Sequence, residues 1–237
     1  IIAVVSINFI YVLYFSFKKL NANGLYFSLS NFKLERLTNL VRYGSKFTLN
    51  HFISMAFTYG TFFYVGYHLG TEESIEFRLG HLVGSNLFTL CSSGLLFLFP
   101  LTSSINDKTN LKTLFKKIAL LILIYDIFSF GLAYIFADKI VFVWLGNNYS
   151  TNLPEIIRWF CLCFILNTFK LPAFHIINGS GKPGIILLLS SLGLAIYIFL
   201  VMFTSELNVI SLLKYYAISQ LYVVFAFNTY LYRLLKY

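Results

Sequence analysis

Charged residues are scarce in this chain of 237 residues: Asp, Glu, Lys and Arg make up 11% of it, whereas 58% of the residues are hydrophobic. Soluble domains are about one quarter charged, so this composition excludes an ordinary soluble domain. The apolar runs are solid, without the alternation of apolar and polar residues found in strands of membrane barrels. The composition therefore predicts an all-α, polytopic membrane protein.

Residues that commonly form catalytic or metal sites are also few. The three cysteines lie in apolar runs, and Cys161 and Cys163 are two positions apart, so they point to different faces of a helix. The four histidines share no ligand spacing. Gly179-Ser180-Gly181-Lys182 lacks the earlier Gly and the following Ser or Thr of a phosphate-binding loop. We therefore predict no catalytic residue, no metal and no cofactor.

The apolar residues that dominate the chain fall into long runs. The stretch 155–203 forms two such runs joined by a segment rich in Gly, Ser and Pro, which is typical of a membrane hairpin. The whole chain contains seven predicted spans: 1–17, 47–68, 77–102, 116–137, 156–177, 184–203 and 209–231. The chain begins at Ile1, inside an apolar run and without the order of a signal peptide. We therefore expect a C-terminal part of a longer protein.

The segments between the spans differ in charge. If the spans alternate in direction, thirteen Lys and Arg residues and two acids fall on one side, including the long basic segment 18–46 and the C-terminal tail. The opposite side has one basic residue and six acids. Because Lys and Arg are retained in the cytoplasm, the basic side and the C-terminus are predicted to be cytoplasmic. This sidedness explains the net charge of +9 better than nucleic-acid binding does.

Polar residues within the spans mark a candidate site. The ionisable ones are Arg78, Asp126, Arg158, Lys170 and Lys214. Each needs a partner or a hydrated cavity, although the four basic side chains also have the option of extending to the headgroups. For Asp126, a structural hydrogen bond and a role in ion coupling remain open.

Two spans carry polar residues along one helical face. Asn50, Ser54 and Thr58 recur at four-residue steps in the second span, and Ser85 belongs to a similar series in the third. Asn167 lies beside Lys170 in the fifth span. Such faces predict a hydrated central cavity lined by cations. Beside the polar series of the third span, Gly80 and Gly84 form a small-xxx-small pair that lets another helix approach closely.

Several stretches, in this order, resemble the C-terminal half of polysaccharide-lipid flippases of the Wzx type, which are related to multidrug and toxin extruders. They are Phe99-Pro100-Leu101-Thr102-Ser103, Trp144-Leu145-Gly146 with Tyr149, Asn167, and Gly179-Ser180-Gly181-Lys182. The likeness extends from about Leu40 to the end of the chain. Many relatives also have a Pro opening the seventh helix and an Asp within it, whereas Phe47-Thr48 and Thr58-Tyr59 occupy those places here.

The resemblance implies two six-helix lobes around a central cavity in the bacterial inner membrane. Segment 1–17 is then the sixth helix, 18–46 the loop between lobes, and 47–237 the C-terminal lobe. The implied substrate is an undecaprenyl-diphosphate-linked oligosaccharide, and the implied partners are membrane lipids, the N-terminal lobe and polysaccharide polymerase machinery. Arg78 best matches the family's cavity arginine, with Arg158, Lys170 and Lys214 as further candidates. Asn50, Ser54, Thr58 and Ser85 are expected to form hydrogen bonds with sugar hydroxyls, and Asn167 is expected to be a further polar residue of the cavity.

Two other functions remain open. A cation-coupled multidrug exporter needs an acidic cavity, and Asp126 is the residue that favours it. A membrane-embedded polysaccharide polymerase also has many spans and arginines, but it tends to have a large outer loop, and the outer loops predicted here are short.

Overall fold

The computed structural model describes residues 34–105, 107–146, 150–204 and 207–236. The chain divides into two units, 1–42 and 43–237, and the description of the first unit begins at Leu34. The predicted span 1–17, segment 18–33 and Tyr149 lie outside the described residues. The geometry reported below belongs to the second unit.

The described residues are helical, without strands. The elements are α1 (Leu34–Met55), a π-helical turn (Ala56–Gly60), α2 (Thr61–His68), α3 (Thr71–Gly94), α4 (Leu98–Ser104), α5 (Lys108–Ile135), α6 (Ala137–Leu145), α7 (Leu153–Gly179), α8 (Pro183–Met202) and α9 (Val209–Lys236). Helix α1 continues through the π-helical turn into α2, so residues 34–46, predicted as part of a loop, are helical.

Five helical stretches are long and apolar enough to cross a membrane: Thr71–Ser104, Thr109–Ile135, Leu153–Gly179, Pro183–Met202 and Val209–Lys236. They correspond to the last five predicted spans and make the chain a multi-pass membrane protein by length and composition. The predicted span 47–68 is also helical, but it is not among these five. Its polar series, which begins at Asn50, makes it less apolar.

Helix α7 lies at the centre of the second unit, in contact with α3, α5 and α9. In its most apolar stretch 67% of the residues are buried, against 17 to 33% in the other four candidate spans. A helix that is apolar all round is suited to this position. Helix α7 has Pro154 in its first turn, where the N–H that Pro lacks would have no partner within the helix. Gly181, just beyond the end of the helix, has a φ of 74°. The other four candidate spans have smaller buried fractions because many of their apolar side chains face lipid.

The close approach predicted at Gly80 and Gly84 is confirmed. Both glycines are buried on α3 and face α7. A Cβ atom at Gly80 would lie 2.7 Å from Cγ2 of Ile156, and one at Gly84 would overlap the ring of Phe164. Because Gly80 and Gly84 have no side chains, the backbone of α3 packs directly against side chains of α7.

The two ends of the helical unit differ in charge. At one end the hydroxyl of Tyr43 donates to the carbonyl of Asn178 at 2.9 Å, and Lys112 and Lys236 border one groove. At the other end Arg158 forms an ion pair with Asp138. The lysines of the first end are Lys46, Lys112, Lys116, Lys117, Lys182 and Lys236. Among the described residues, the second end has five acids and four basic residues: Glu72, Glu73, Glu76, Asp138 and Glu155, with Arg78, Lys139, Arg158 and Lys214.

Candidate functional site

A cavity of about 300 Å³ lies between α1, the π-helical turn, α7 and α9. Its volume is at the lower end of the range typical of small-molecule sites. Its polar lining residues are Asn50, His51, Ser54, Thr58, Asn167, Lys170, Ser190, Tyr216 and Gln220. Aromatic rings form much of the remaining wall. The cavity therefore combines apolar surface with polar groups from five elements, of which α8 contributes Ser190.

The α1 side of the cavity presents hydrogen-bond acceptors. The hydroxyl of Ser54 donates to the carbonyl of Asn50 at 3.2 Å, and that of Thr58 donates to the carbonyl of Ser54 at 3.4 Å. Because each proton is used within the helix, the oxygen lone pairs remain for a ligand. The Oδ1 atom of Asn50 has no hydrogen-bond partner although the residue is only 7% exposed. A buried amide oxygen without a partner indicates a place for a donor.

The π-helical turn follows directly after this acceptor face. It contains Phe57 and Thr58, both of which line the cavity. Short π-helical segments within α-helices occur frequently at functional sites, because the extra residue changes the direction of the side chains. Here the turn directs the ring of Phe57 towards Tyr216, with the centroids 5.5 Å apart in an edge-to-face arrangement.

The opposite wall, from α7 and α9, presents donors. The Nζ of Lys170 donates to Oε1 of Gln220 at 2.9 Å. The Nδ2 of Asn167 donates to the hydroxyl of Tyr216 at 3.1 Å and to the carbonyl of Cys163 at 3.0 Å. An ammonium group has three protons, so Lys170 keeps donors for a ligand. Among the described lining residues it is the only Lys or Arg, and none is Asp or Glu.

Aromatic rings narrow the cavity towards the acidic end. A second space of about 20 Å³ lies beyond them, lined by Thr61, Phe77, His81 and Phe160 among others. The two spaces share Phe57, Thr58, Phe164 and Tyr216 as lining residues. The shared rings thus form a constriction, and the cavity is wider on the side of the basic end.

The structure brings five of the predicted site residues together: Asn50, Ser54, Thr58, Asn167 and Lys170. Ser85 is not among the lining residues, and its hydroxyl donates to the carbonyl of Leu82 at 3.2 Å within α3. The two polar faces that the sequence assigned to the second and fifth spans therefore do share one cavity. The face of the third span does not contribute its predicted serine.

Three of the four predicted cavity cations lie outside the cavity. Arg78 is exposed on α3. Arg158 pairs through Nη2 with Oδ2 of Asp138, and its Nε donates to the carbonyl of Tyr134 at 3.4 Å. Lys214 is exposed, with Nζ 5.5 Å from the ring centroid of Trp159. Arg158 and Lys214 lie near the acidic end, where a carboxylate and an indole ring are available as partners.

Asp126 lies on α5, where it contacts Thr168 of α7, and neither residue lines the cavity. It is 3% exposed, and its carboxyl oxygens lie 2.8 and 2.9 Å from the Oγ1 of Thr168. Beside it the hydroxyl of Tyr125 donates to the carbonyl of Leu87 at 2.7 Å. These bonds link α5 to α7 and to α3. The geometry therefore favours the structural role that the sequence left open for Asp126.

This role predicts the effects of two substitutions. Asp126→Asn keeps a side chain of the same shape that can bond to Thr168, so we expect the free energy of unfolding to stay within about 1 kcal/mol of the wild-type value. Thr168→Val removes the hydroxyl from a site with no exposure and leaves the carboxyl without its partner, which we expect to lower the free energy of unfolding by about 1–3 kcal/mol. Thermal denaturation of both variants checks this. Unchanged stability in Thr168→Val would contradict the structural role of Asp126.

Sequence reasoning missed Tyr216, Gln220, Ser190 and Phe57 as lining residues. Tyr216 and Gln220 are four residues apart on α9, and Gln220 is 1% exposed. The search for uncharged polar residues along one helical face covered the second, third and fifth spans. Extended to the last span, it would have found this pair. No sequence signal indicates the π-helical turn that positions Phe57.

The described residues contain no group of three or more His, Cys, Asp or Glu residues placed to bind a metal ion. No protein-family model, curated protein or solved structure matches the chain. The resemblance to polysaccharide-lipid flippases therefore depends on the sequence stretches quoted for it.

Proposed function

We propose that this chain belongs to a flippase that moves an undecaprenyl-diphosphate-linked oligosaccharide from the cytoplasmic to the outer face of the bacterial inner membrane. The observation that carries the proposal is a cavity, among membrane-spanning helices, whose described lining contains one cation, several amides and hydroxyls, and no acid. A ligand with an anionic group next to hydroxyl-rich sugars matches this composition. The resemblance described above supplies the identity of the lipid carrier.

The two walls of the cavity suit different parts of such a ligand. Lys170 binds a phosphate oxygen, because ammonium–phosphate hydrogen bonds are strong and the partner Gln220 holds the Nζ in place. The side-chain oxygens of Asn50, Ser54 and Thr58 accept hydrogen bonds from sugar hydroxyls. The volume of about 300 Å³ accommodates only part of a lipid-linked oligosaccharide, so the second lobe implied by the resemblance completes the site.

The lining of the cavity favours this ligand over a cationic drug. A multidrug exporter of cations needs a carboxylate in its cavity, and Asp126 instead faces Thr168. Among the described lining residues the formal charge comes from Lys170 alone. An anionic substrate is therefore the better match, since it offsets this charge on binding.

Transport by alternating access uses the aromatic constriction. In the described arrangement the cavity is wider towards the basic end, which the positive-inside rule assigns to the cytoplasm. The rings of Phe57, Phe164 and Tyr216 separate it from the narrow space near His81. Movement of one lobe against the other opens this constriction and exposes the cavity to the outer side.

The test uses the intact gene in its own host. The protein is depleted, and sealed vesicles of both orientations are probed with an impermeant lectin that binds the oligosaccharide. Complete repeat units trapped on the cytoplasmic face are the expected result. Single units that reach the outer face but are never lengthened would indicate a polymerase and would overturn the proposal.

A further inference from the structure

A second cavity of about 300 Å³ lies at the basic end, between the start of α5 and the end of α9. Its walls are formed by Lys112, Phe115 and Lys116 of α5 and by Asn228, Leu231, Tyr232, Leu235 and Lys236 of α9. It shares no lining residue with the central cavity. We refer to it as the basic groove.

The two helices present matching faces to the basic groove. Lys112 and Lys116 are one turn apart, so their ammonium groups project on the same side of α5. The α9 residues follow the steps of a single helical face, on which Leu231 is buried and Tyr232 is 64% exposed. The result is an apolar floor between two helices with lysines along its edge. None of its described lining residues is Asp or Glu.

We propose that the basic groove binds an anionic phospholipid of the leaflet at this end of the helices. The lipid phosphate lies between the ammonium groups of Lys112 and Lys116, and an acyl chain lies along Phe115 and Leu231. Basic pockets between membrane helices are suited to acidic headgroups because the lysines offset the phosphate charge. Tyr232 has the position of an interfacial aromatic residue at the headgroup level. This proposal does not depend on the transported substrate.

Charge complementarity and position together favour a lipid over a soluble anion. The apolar floor has no use in binding a free phosphate, whereas it matches an acyl chain. One turn beyond Lys116 on the same face of α5, Leu120 is 58% exposed, so apolar surface adjoins the groove on this helix. A lipid can therefore enter sideways from the bilayer, with its headgroup meeting the lysines at the edge.

The chain contains a closely matched control for the two groove lysines. Lys117 follows Lys116 on α5 and is also exposed, but it does not line the basic groove. Lys116→Gln and Lys117→Gln therefore remove the same charge from the same turn of one helix. Both positions are exposed, so neither substitution disturbs packing.

The experiment measures phosphatidylglycerol binding to the intact purified protein by native mass spectrometry, with phosphatidylcholine as the zwitterionic comparison. We expect a preference for phosphatidylglycerol, a loss of affinity of about fivefold in Lys116→Gln, and a larger loss when Lys112→Gln is added. Lys117→Gln should change the affinity by less than about twofold. Thermal denaturation verifies that all variants are folded.

Three outcomes would overturn the proposal. Equal losses in Lys116→Gln and Lys117→Gln would indicate general charge attraction rather than a site. Equal binding of the two lipids would exclude recognition of the anionic headgroup. Competition by soluble glycerol phosphate at the concentration of the lipid would show that the acyl chain contributes nothing, and the ligand would then be a free phosphate ester.

Discussion

Under the proposed flippase function, replacing Lys170 by Gln is expected to lower the export of lipid-linked oligosaccharide by about 10- to 100-fold. The substitution removes the one cation among the described lining residues of the central cavity and keeps a polar side chain of similar reach. Hydrogen bonds to charged groups contribute about 1.5–3 kcal/mol, and about 1.4 kcal/mol corresponds to a tenfold change. The rate of lectin-detected appearance of substrate on the outer face, at equal protein levels, measures the effect.

A matched control and a second variant separate the charge of the cavity from the total charge of the protein. Lys214→Gln removes the same charge from the exposed side chain above Trp159, and we expect nearly unchanged export. Gln220→Glu leaves Lys170 in place but puts a carboxylate where an amide oxygen lies 2.9 Å from its Nζ. Because the two charges then offset each other, export should fall as in Lys170→Gln. Normal export in Lys170→Gln would exclude Lys170 as the phosphate-binding residue.

The parts of the fold that sequence reasoning predicted are those fixed by contact with lipid. Helices of about 20 apolar residues satisfy their backbone groups internally, so apolar runs such as 184–203 identify a helix whatever its neighbours are. The structure gives Pro183–Met202 for this run. Breaks within a run are harder to predict. The predicted span 77–102 ends as an α-helix at Gly94 and resumes at Leu98. Ser93 and Gly94 precede the break, and Pro100 beyond it has no N–H to donate to the carbonyl of Leu96.

The candidate site was less predictable because it depends on which faces meet. Asn50, Ser54 and Thr58 could be assigned to one face from their spacing alone. The partner of Arg158 could not be predicted from spacing. Asp138 is twenty residues away on another helix, and only the packing of α6 against α7 brings the two side chains together. Sequence reasoning also placed Arg78 first among the cavity cations, with Lys170 and Lys214 as further candidates. The cavity is instead lined by Lys170 and by the uncharged pair Tyr216 and Gln220.

The packing of α3 on α7 predicts an effect on stability as large as that of Thr168→Val. A Cβ atom at Gly84 would overlap the ring of Phe164, which is buried among α7 side chains. Gly84→Ala is therefore expected to lower the free energy of unfolding by about 1–3 kcal/mol, as overpacked cores do. Gly131→Ala is the matched control, because its Cβ would meet no atom closer than the carbonyl oxygen of Asp126 at 3.9 Å. Its stability should stay level or rise by up to about 1 kcal/mol, since Ala favours helix.

The same substitution links packing to the central cavity. Phe164 lines both the central cavity and the narrow space beyond it, so a ring displaced by the added methyl group must move towards one of them. We therefore expect Gly84→Ala to lower transport as well as stability. Combining it with Phe164→Leu makes room for the methyl group, and the double variant should be more stable than the sum of the two single effects predicts. Additive losses, measured by thermal denaturation of all three proteins, would contradict a direct contact between Gly84 and Phe164.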